Sequence, residues 1–267
     1  MRLIILILIS ILTLRSYSQR NILVVDSLTK APLRFTNIDF LDSKGGTYSN
    51  DNGIFEVPDS VTRVKISHIG YKSKIINSIN DTLFLIQKEN ELSEILITTK
   101  DKFIAGRKKS KYNIGFNSSS KSIILAKKLI LENDSKIDEV HFDIINNKKI
   151  KKSRLLIFNI DENEMPYENI LNEEVVKQIE VGIKTFTIDL FEFSVYLKKG
   201  IYFVALEIFN LNDENGKSGL KIGCYKSNNL NNSLFKPVFN ADNKWNSIKT
   251  ENKKKEYSFN FYISAER

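Results

Sequence analysis

Apolar positions along the chain recur as short runs between turn-forming clusters, without long helical stripes. In the first third of the sequence the runs are rich in Val, Ile and Phe and lie at about ten-residue spacing. They cover 24–25, 35–41, 54–57, 64–67 and 83–86. The clusters between them contain Pro, Gly, Asn and Asp, including Asp51-Asn52-Gly53, which is typical of a tight turn with positive φ. This pattern predicts an antiparallel β-sandwich.

The rest of the chain is also strand-like. Its strand candidates are 137–145, 154–160, 183–190, 201–209, 220–225 and 257–263. Phe186, Ile188 and Leu190 alternate with polar neighbours, which predicts a strand with one buried face. Residues 201–208 are apolar on both faces, which predicts a central strand. Residues 173–182 fit either a short helix or a strand. The pattern as a whole predicts a second, larger β-sandwich.

The amino-terminal segment has the three parts of a secretory signal peptide. Arg2 precedes the apolar stretch 3–14, and Ser16 and Ser18 occupy the small-residue positions of a cleavage site. A transmembrane helix needs about 20 apolar residues, more than this stretch offers. We therefore expect residues 1–18 to be removed, leaving an exported chain without a membrane span. Its predicted location is the periplasm or the outer-membrane surface.

A family resemblance follows from several spaced elements near the start of the predicted mature chain. The elements are Val25-Asp26, Pro32-Leu33, Thr36-Asn37-Ile38, 46–55 and 66–72. In this order they resemble the carboxypeptidase-regulatory-like (transthyretin-like) domain, which is common in exported proteins of Bacteroidetes-type bacteria. The resemblance covers about residues 20–87 and implies a small transthyretin-like β-sandwich over 19–87. The zinc peptidase domain of true carboxypeptidases is not in this sequence, so the resemblance implies no peptidase activity.

The region from residue 112 to residue 267 has a weaker resemblance of its own. It is similar to the jelly-roll-like half that follows this regulatory domain in small flavobacterial proteins. The matching pattern consists of the strand 154–158, a loop with Pro166, the strand 187–190 and the strand 200–207. The predicted architecture is therefore all-β, a transthyretin-like sandwich followed by a jelly-roll-like sandwich.

Residues 88–111 are predicted to be the linker between the two domains. They end in the basic run 107–111, which is typical of a solvated segment. Leu92 to Ile97 resembles the energy-coupling segment that follows the same domain in nutrient-uptake outer-membrane receptors. Because no plug or barrel follows, a linking strand is the preferred interpretation.

The charge balance is basic. Removing Arg2 and Arg15 with the leader lowers the formal net charge from +8 to +6. The runs 148–152 and 253–255 are dense enough to attract phosphate, but an exported chain is separated from nucleic acid. We prefer to interpret these basic runs as solvated loops. The alternative is that they contact an anionic lipopolysaccharide or a surface glycan.

Few residues are suited to catalysis or metal binding. The chain has two histidines, of which His68 shares a strand face with Val64 and is predicted to be packed, whereas His141 is predicted to be solvated. The only cysteine, Cys224, is predicted to be a buried small hydrophobe. No His-x-His, Cys-x-x-Cys or Gly-x-Ser-x-Gly motif occurs, so we predict no cofactor, no metal site and no enzyme. The loops 51–53, 161–164 and 212–216 offer oxygen ligands, and calcium stays open at the second or third of them, although turns prefer the same residues.

Two aromatic residues are the candidate ligand-binding residues. Trp245 lies in a polar loop and Tyr225 in a strand, and Tyr167 and Tyr202 are possible neighbours. Jelly-roll domains often present such aromatics to sugars, but a lone Trp more often fills a core or covers a sheet edge. We therefore expect a non-catalytic binding or structural protein of the bacterial cell envelope. Its partner is an envelope protein or a surface glycan; the alternative is a carbohydrate-binding module linked to polysaccharide uptake.

Overall fold

A computed structural model describes most of the chain after the predicted leader. The described residues are 19–89, 101–115, 122–209, 219–229, 231–239, 244–249 and 256–267. Every regular element in these ranges is a β-strand, and the chain divides into two compact units, Met1–Lys88 and Glu89–Arg267. The predicted all-β class, a small sandwich followed by a larger one, is therefore confirmed. The predicted leader 1–18 and the energy-coupling segment 92–97 lie outside the described residues.

In the residues that the structure describes, the first unit contains seven strands in two sheets. In chain order, β1 to β7 are Gln19–Asp26, Asn37–Phe40, Gly46–Tyr48, Ile54–Pro58, Val64–Ser67, Lys74–Ile76 and Thr82–Leu85. One sheet has the order β4-β1-β7, with β1 antiparallel to β4 and parallel to β7. The other has the order β3-β2-β5-β6 and is antiparallel.

Both sheets of the first unit bury their alternate residues in one core. The core includes Ile22, Val24, Ile38, Phe55, Val57, Val64, Ile66, Leu83 and Leu85. Gly53 precedes β4 with a φ of 74°, and a Cβ there would lie 2.9 Å from the Val24 carbonyl oxygen. The close approach of β1 to the turn thus requires glycine. The tight turn predicted at this position is present.

Fifteen strands lie in the described residues of the second unit. In chain order, β8 to β22 are Lys102–Gly106, Tyr112–Gly115, Ser122–Leu131, Ser135–Asn147, Lys151–Ile160, Pro166–Asn169, Val175–Ile179, Thr185–Asp189, Val195–Leu197, Gly200–Ile208, Leu220–Ser227, Ser233–Val238, Asn246–Ser247, Glu256–Phe259 and Phe261–Glu266. The first sheet has the order β13-β12-β17-β10-β19-β20, with β14 also on β12. The second has the order β21-β18-β11-β22-β8, with β15 and β16 on β11 and β9 on β18.

Contacts between the two sheets of the second unit close a sandwich. The Ser233 hydroxyl of β19 lies 2.9 Å from the Ser258 hydroxyl of β21 and accepts a hydrogen bond of 3.0 Å from the Phe259 backbone N–H. The interior is filled by buried side chains from both sheets, among them Leu125, Ile137, Val140, Ile144, Leu155, Ile157, Phe186, Phe203, Leu206 and Phe261. Such burial is the main contribution to the stability of the unit.

Three strands of the second unit compare differently with the predictions: one is confirmed, one resolves an alternative and one was not predicted. Strand β17 lies between β12 and β10, so the predicted central position is confirmed. Strand β14 shows that the ambiguous segment 173–182 contains a strand. Strand β10 was not predicted, because its apolar run is followed by Lys127 and Lys128 and does not alternate. It is buried on both faces, and a strand of that kind has no period-2 signal.

The prediction of a solvated linker over 88–111 is wrong for residues 102–106. These residues form β8, which pairs antiparallel with β22 at the edge of the second sheet of the second unit. Phe103 and Ala105 are half-buried and alternate with exposed neighbours, which is the pattern of an edge strand with one covered face. The basic run that follows dominated the sequence pattern and obscured this short strand.

Replacing Gly106 by Ala should destabilise the second unit by about 2 kcal/mol or more. Gly106 has a φ of 110°, and its Cβ would lie 2.5 Å from the Phe261 carbonyl oxygen. Gly182→Ala is the matched control, because Gly182 also has positive φ (76°) but no heavy atom within 4 Å of a Cβ. Urea denaturation of both variants measures the difference. Equal losses in the two variants would show that β8 does not constrain the chain at Gly106.

Candidate functional site

Tyr225 is at the centre of a polar cluster in the second unit. The half-buried Tyr225 ring has the Arg107 guanidinium carbon 4.3 Å from its centroid and the Lys127 Nζ 4.9 Å from it. Asn232 donates a hydrogen bond of 3.4 Å to the Tyr225 hydroxyl and one of 3.1 Å to Ser258. We call these five residues, Tyr225, Arg107, Lys127, Asn232 and Ser258, the Tyr225 site.

Four separate elements position the Tyr225 site. Tyr225 pairs with Ser258 across β18 and β21. Lys127 belongs to β10, which pairs with β17 and β19 of the other sheet, and its Nζ also lies 5.1 Å from the Phe261 ring. Arg107 follows β8, where its backbone N–H donates to the Phe261 carbonyl at 3.1 Å. The site therefore forms only when both sheets and the edge strand are in place.

The Tyr225 site places a buried lysine beside a half-buried phenol. Lys127 is only 5% exposed, and burial lowers its pKa from the ordinary lysine value, against the opposing effect of the Tyr225 hydroxyl. Burial by itself would raise the pKa of Tyr225, but Lys127, a hydrogen bond with Ser258 and Arg107 together lower it. Within the described residues no carboxylate forms an ion pair with Lys127 or Arg107. The site thus contains two cations beside one phenol.

Further lysines lie over tyrosine rings close to β18 in the fold. The Lys226 Nζ is 5.2 Å from the Tyr112 ring and 6.0 Å from the Tyr257 ring, and these two rings meet edge to face at 6.0 Å. Lys111 lies 5.9 Å from Tyr112. The basic run 107–111, which we predicted to be solvated linker, thus places Arg107 and Lys111 over tyrosine rings. The run of basic residues directly before Tyr112 was the sequence signal for these contacts between cations and tyrosine rings.

Trp245 lies elsewhere in the second unit. Its half-buried ring meets Phe158 of β12 edge to face at 5.6 Å, and the Lys236 Nζ of β19 lies 5.5 Å from it. These contacts are all with the sheet that contains β12 and β19, whereas Tyr225 lies on the other sheet. Of the possible neighbours, Tyr167 is 70% exposed on β13 and Tyr202 donates a hydrogen bond of 3.0 Å to the Lys198 carbonyl. The structure therefore places Trp245 and Tyr225 on different sheets.

His141 is not solvated as predicted, since its side chain is only 11% exposed. Its Nε2 lies 3.2 Å from the Glu139 carboxylate, its Nδ1 lies 2.9 Å from the Thr187 hydroxyl, and its ring stacks on Tyr262 at 4.2 Å. Burial lowers the pKa of His141, which favours the neutral ring, so Nε2–H donates to the carboxylate and Nδ1 accepts from the hydroxyl. Pairing with β15 and β22 covers this position, and neither partner strand is adjacent in sequence.

His68 has both ring nitrogens close to backbone carbonyls. Its Nδ1 lies 2.8 Å from the Ile69 carbonyl oxygen and its Nε2 lies 3.0 Å from that of Arg34. The ring also meets Tyr71 edge to face at 5.2 Å. These contacts are those of a packed residue, as predicted, in the first unit.

The thiol of Cys224 is buried. Cys224 is 0% exposed, and burial raises its pKa to about 11, with a smaller contribution from Asp143. At neutral pH the sulfur is therefore protonated and is neither a nucleophile nor a metal ligand. In the part of the chain that the structure describes, no three His, Cys, Asp or Glu residues are grouped to hold a metal ion.

Two of the three acidic loops lie in the described residues. Asp161 accepts hydrogen bonds from the backbone N–H groups of Asn163 and Met165, at 2.9 and 2.8 Å. In the loop around 51–53, Asn50 accepts from Asn52 and Ile54 in the same way. These side chains stabilise their own turns. The third loop, 212–216, lies outside the described residues.

These features define an all-β protein of two sandwich units, with a basic, tyrosine-rich site in the second. No helix that is long and apolar enough to cross a bilayer occurs in the described residues. No family model and no curated protein matches the sequence.

Two solved structures are similar to the chain at low identity. One is the clostridial cysteine protease Cwp84 after propeptide cleavage, with 15% identity and a TM-score of 0.46 over 62% of this chain and 40% of that chain. The other contains the cysteine protease and lectin-like domains of Cwp84, a surface layer associated protein of Clostridium difficile. There the identity is 14% and the TM-score 0.45, over 83% of this chain and 45% of that chain. The chain spans less than half of either structure, and neither similarity assigns an activity.

Proposed function

We propose that this protein is an exported, non-catalytic binding protein of the bacterial cell envelope. The second unit binds its partner through the Tyr225 site. The observation that carries the proposal is the pair of cations, Arg107 and Lys127, on one tyrosine ring without a carboxylate partner in the described part of the chain. Export is the expectation from the leader at 1–18.

The chemistry of the Tyr225 site suits recognition better than catalysis. Cations that are not neutralised by the protein attract acidic groups, and an aromatic ring offers a flat surface to an apolar face of a ligand. The Cys224 thiol is protonated at neutral pH, and the neutral His141 ring is held between Glu139 and Thr187. We therefore assign binding, rather than catalysis, to the second sandwich.

A second candidate is a carbohydrate-binding module that is linked to polysaccharide uptake. The observation that favours it is the number of tyrosine rings with a cation within 6.0 Å, namely Tyr112, Tyr225, Tyr257 and Tyr262. Tyrosine rings stack on sugars, and nearby cations add attraction for acidic sugars. Trp245, the residue first expected to bind sugar, is half-buried against Phe158 and is not required in this proposal.

Replacing Arg107 by Gln should weaken binding about five- to tenfold, because it removes a cation that lies over the Tyr225 ring. A glycan array with the 19–267 chain identifies the ligand, and isothermal titration calorimetry then gives the affinity of each variant. Lys177→Gln is the matched control, since it removes the same charge from an exposed position on β14.

Two outcomes contradict the proposal. If Arg107→Gln and Lys177→Gln bind the ligand as tightly as the unmodified chain, the Tyr225 site is not the binding site. If the 19–267 chain hydrolyses an ester or glycoside and Thr187→Val abolishes this activity, the hydrogen-bonded chain from Glu139 through His141 to Thr187 is catalytic.

A further inference from the structure

We propose that the Tyr225 site recognises an acidic group of a polysaccharide, a carboxylate or a sulfate, and that Lys127 is the residue that selects for its charge. This inference rests on the proposed function and specifies the ligand class. Nothing in the sequence pattern singled out Lys127, because it lies at the end of an apolar run in β10.

Lys127 holds a buried ammonium group in the Tyr225 site. A buried ammonium group loses its hydration and is retained in proteins when a counter-charge or a function compensates for the loss. Lys127 is 5% exposed, and its Nζ lies 4.9 Å from the Tyr225 ring centroid. The acidic residue of the adjacent strand β21, Glu256, accepts a hydrogen bond of 2.8 Å from the Asn231 backbone N–H. No carboxylate of the described residues forms an ion pair with Lys127.

Cations and neutral donors surround the Tyr225 ring. Arg107 is exposed and lies 4.3 Å from the ring centroid, while the buried Lys127 lies 4.9 Å from it. The Tyr225 hydroxyl, the Asn232 amide and the Ser258 hydroxyl form a hydrogen-bonded group beside them. An acidic group that enters beside the phenol therefore meets one exposed cation, one buried cation and neutral donors. The exposed Arg107 attracts the acidic group from solvent. The buried Lys127 then contacts it away from water, and this contact distinguishes a charged group from a neutral one.

A polysaccharide matches the surroundings of the Tyr225 site better than an acidic protein does. The Lys226 and Lys111 side chains lie over Tyr112 close to Tyr225 in the fold, so cations and aromatic rings recur in this region. A polymer of acidic sugars repeats a charge and a flat ring face in each residue and matches both features. An acidic peptide repeats the charge without the ring face.

Binding should depend on pH in a defined direction. Lys127 attracts an anion only while it is protonated, so affinity should fall as pH rises through its pKa, which burial keeps below the ordinary lysine value. Tyr225, whose pKa is also lowered, would repel an anion once ionised, and it acts in the same direction. Arg107 stays charged throughout. Tyr225→Phe removes the phenol, so the pH dependence that remains in this variant reports Lys127.

The experiment is calorimetry on the 19–267 chain with three probes. They are oligogalacturonate, its methyl-esterified form, and oligoglutamate as the acidic peptide. Unmodified protein should bind oligogalacturonate about tenfold or more tightly than the ester. Lys127→Met, which keeps the length and apolar stem of the side chain, should bind both sugars equally. Its melting temperature should not fall, because an unpaired buried charge is removed. If Lys127→Met does not fold, Tyr225→Phe replaces it as the test. The affinity of this variant for oligogalacturonate should fall as pH rises, and its affinity for the methyl ester should not depend on pH.

The other outcomes distinguish a failure of this inference from a failure of the proposed function. If both sugars bind equally to the unmodified chain and Arg107→Gln weakens both, the acidic ligand class is wrong while the binding function stands. If only oligoglutamate binds, the ligand is an acidic protein and the polysaccharide is excluded. If no probe binds and a glycan array with Arg107→Gln is unchanged, both proposals fail.

Discussion

Replacing Glu207 by Gln should lower the free energy of unfolding of the second unit by about 3–5 kcal/mol. The Glu207 Oε2 accepts hydrogen bonds of 2.8 and 2.6 Å from Nε and Nη2 of Arg154. The side chains of Arg154 and Glu207 are 2% and 1% exposed. The variant removes the carboxylate that accepts two hydrogen bonds from the buried guanidinium, while Glu174 stays 3.2 Å from Nη1. Urea denaturation, followed by circular dichroism, measures the loss.

Two further variants make this test specific. Glu164→Gln breaks a pair of 2.8 Å with Lys128, but the Glu164 side chain is 60% exposed, so the loss should stay below about 1 kcal/mol. The double variant Arg154→Met with Glu207→Leu removes both charges of this pair and should recover part of the stability that Glu207→Gln loses, since Glu174 also loses its contact with Arg154. A loss in Glu207→Gln no larger than that in Glu164→Gln would show that the buried pair is not electrostatically coupled.

Replacing Asp26 by Ala should destabilise the first unit by about 2–3 kcal/mol, because four hydrogen bonds to a buried carboxylate are lost. Its Oδ1 accepts from the backbone N–H groups of Leu28 and Thr29, at 2.7 and 2.9 Å. Its Oδ2 accepts from the Tyr71 hydroxyl and the Gln87 amide, at 2.7 and 2.8 Å. Tyr71→Phe is the control, since it removes one of these bonds and should cost about 1 kcal/mol. Thermal denaturation of the first unit, followed by circular dichroism, measures both losses.

The effect of Asp26 should also depend on pH. The Thr29 N–H and the Tyr71 hydroxyl, against the opposing effect of burial, lower the Asp26 pKa from 3.8 to about 2. Because the folded pKa lies below the unfolded value, the contribution is complete above about pH 5 and is lost as pH falls through 2. The stability difference between the unmodified chain and Asp26→Asn should therefore shrink between pH 7 and pH 2. A constant difference over this range would mean that the carboxylate is not ionised in the folded unit.

Local pattern was sufficient for the parts of the fold in which one face of a strand is buried. Phe55 and Val57 of β4 and Phe186 and Ile188 of β15 alternate with exposed or half-buried neighbours, and both strands were predicted. The turn before β4 was predicted from Gly53 because its positive φ is a local requirement. Strands β8 and β10 were missed, since one is short beside a basic run and the other is covered on both faces.

The candidate site was only partly predictable. Tyr225 was selected as an aromatic residue in a strand, but its two cations were not, because Arg107 was assigned to the linker and Lys127 to no element. Trp245 was selected because it lies in a polar loop, but the sequence of the loop does not show that the Trp245 ring packs against Phe158. The charge on a residue is visible in the sequence, whereas its burial depends on which strands cover it.

The sequence by itself determined the all-β class, the order of a small sandwich before a larger one, and the lack of the His-x-His, Cys-x-x-Cys and Gly-x-Ser-x-Gly motifs. These follow from residue periodicity and composition, which act over a few neighbouring positions. Only the tertiary structure decided that Lys127 is buried, that Arg107 lies on Tyr225 and that His141 lies between Glu139 and Thr187. Strand pairing joins residues far apart along the chain, so the surroundings of each charge depend on register and on sheet packing rather than on local pattern.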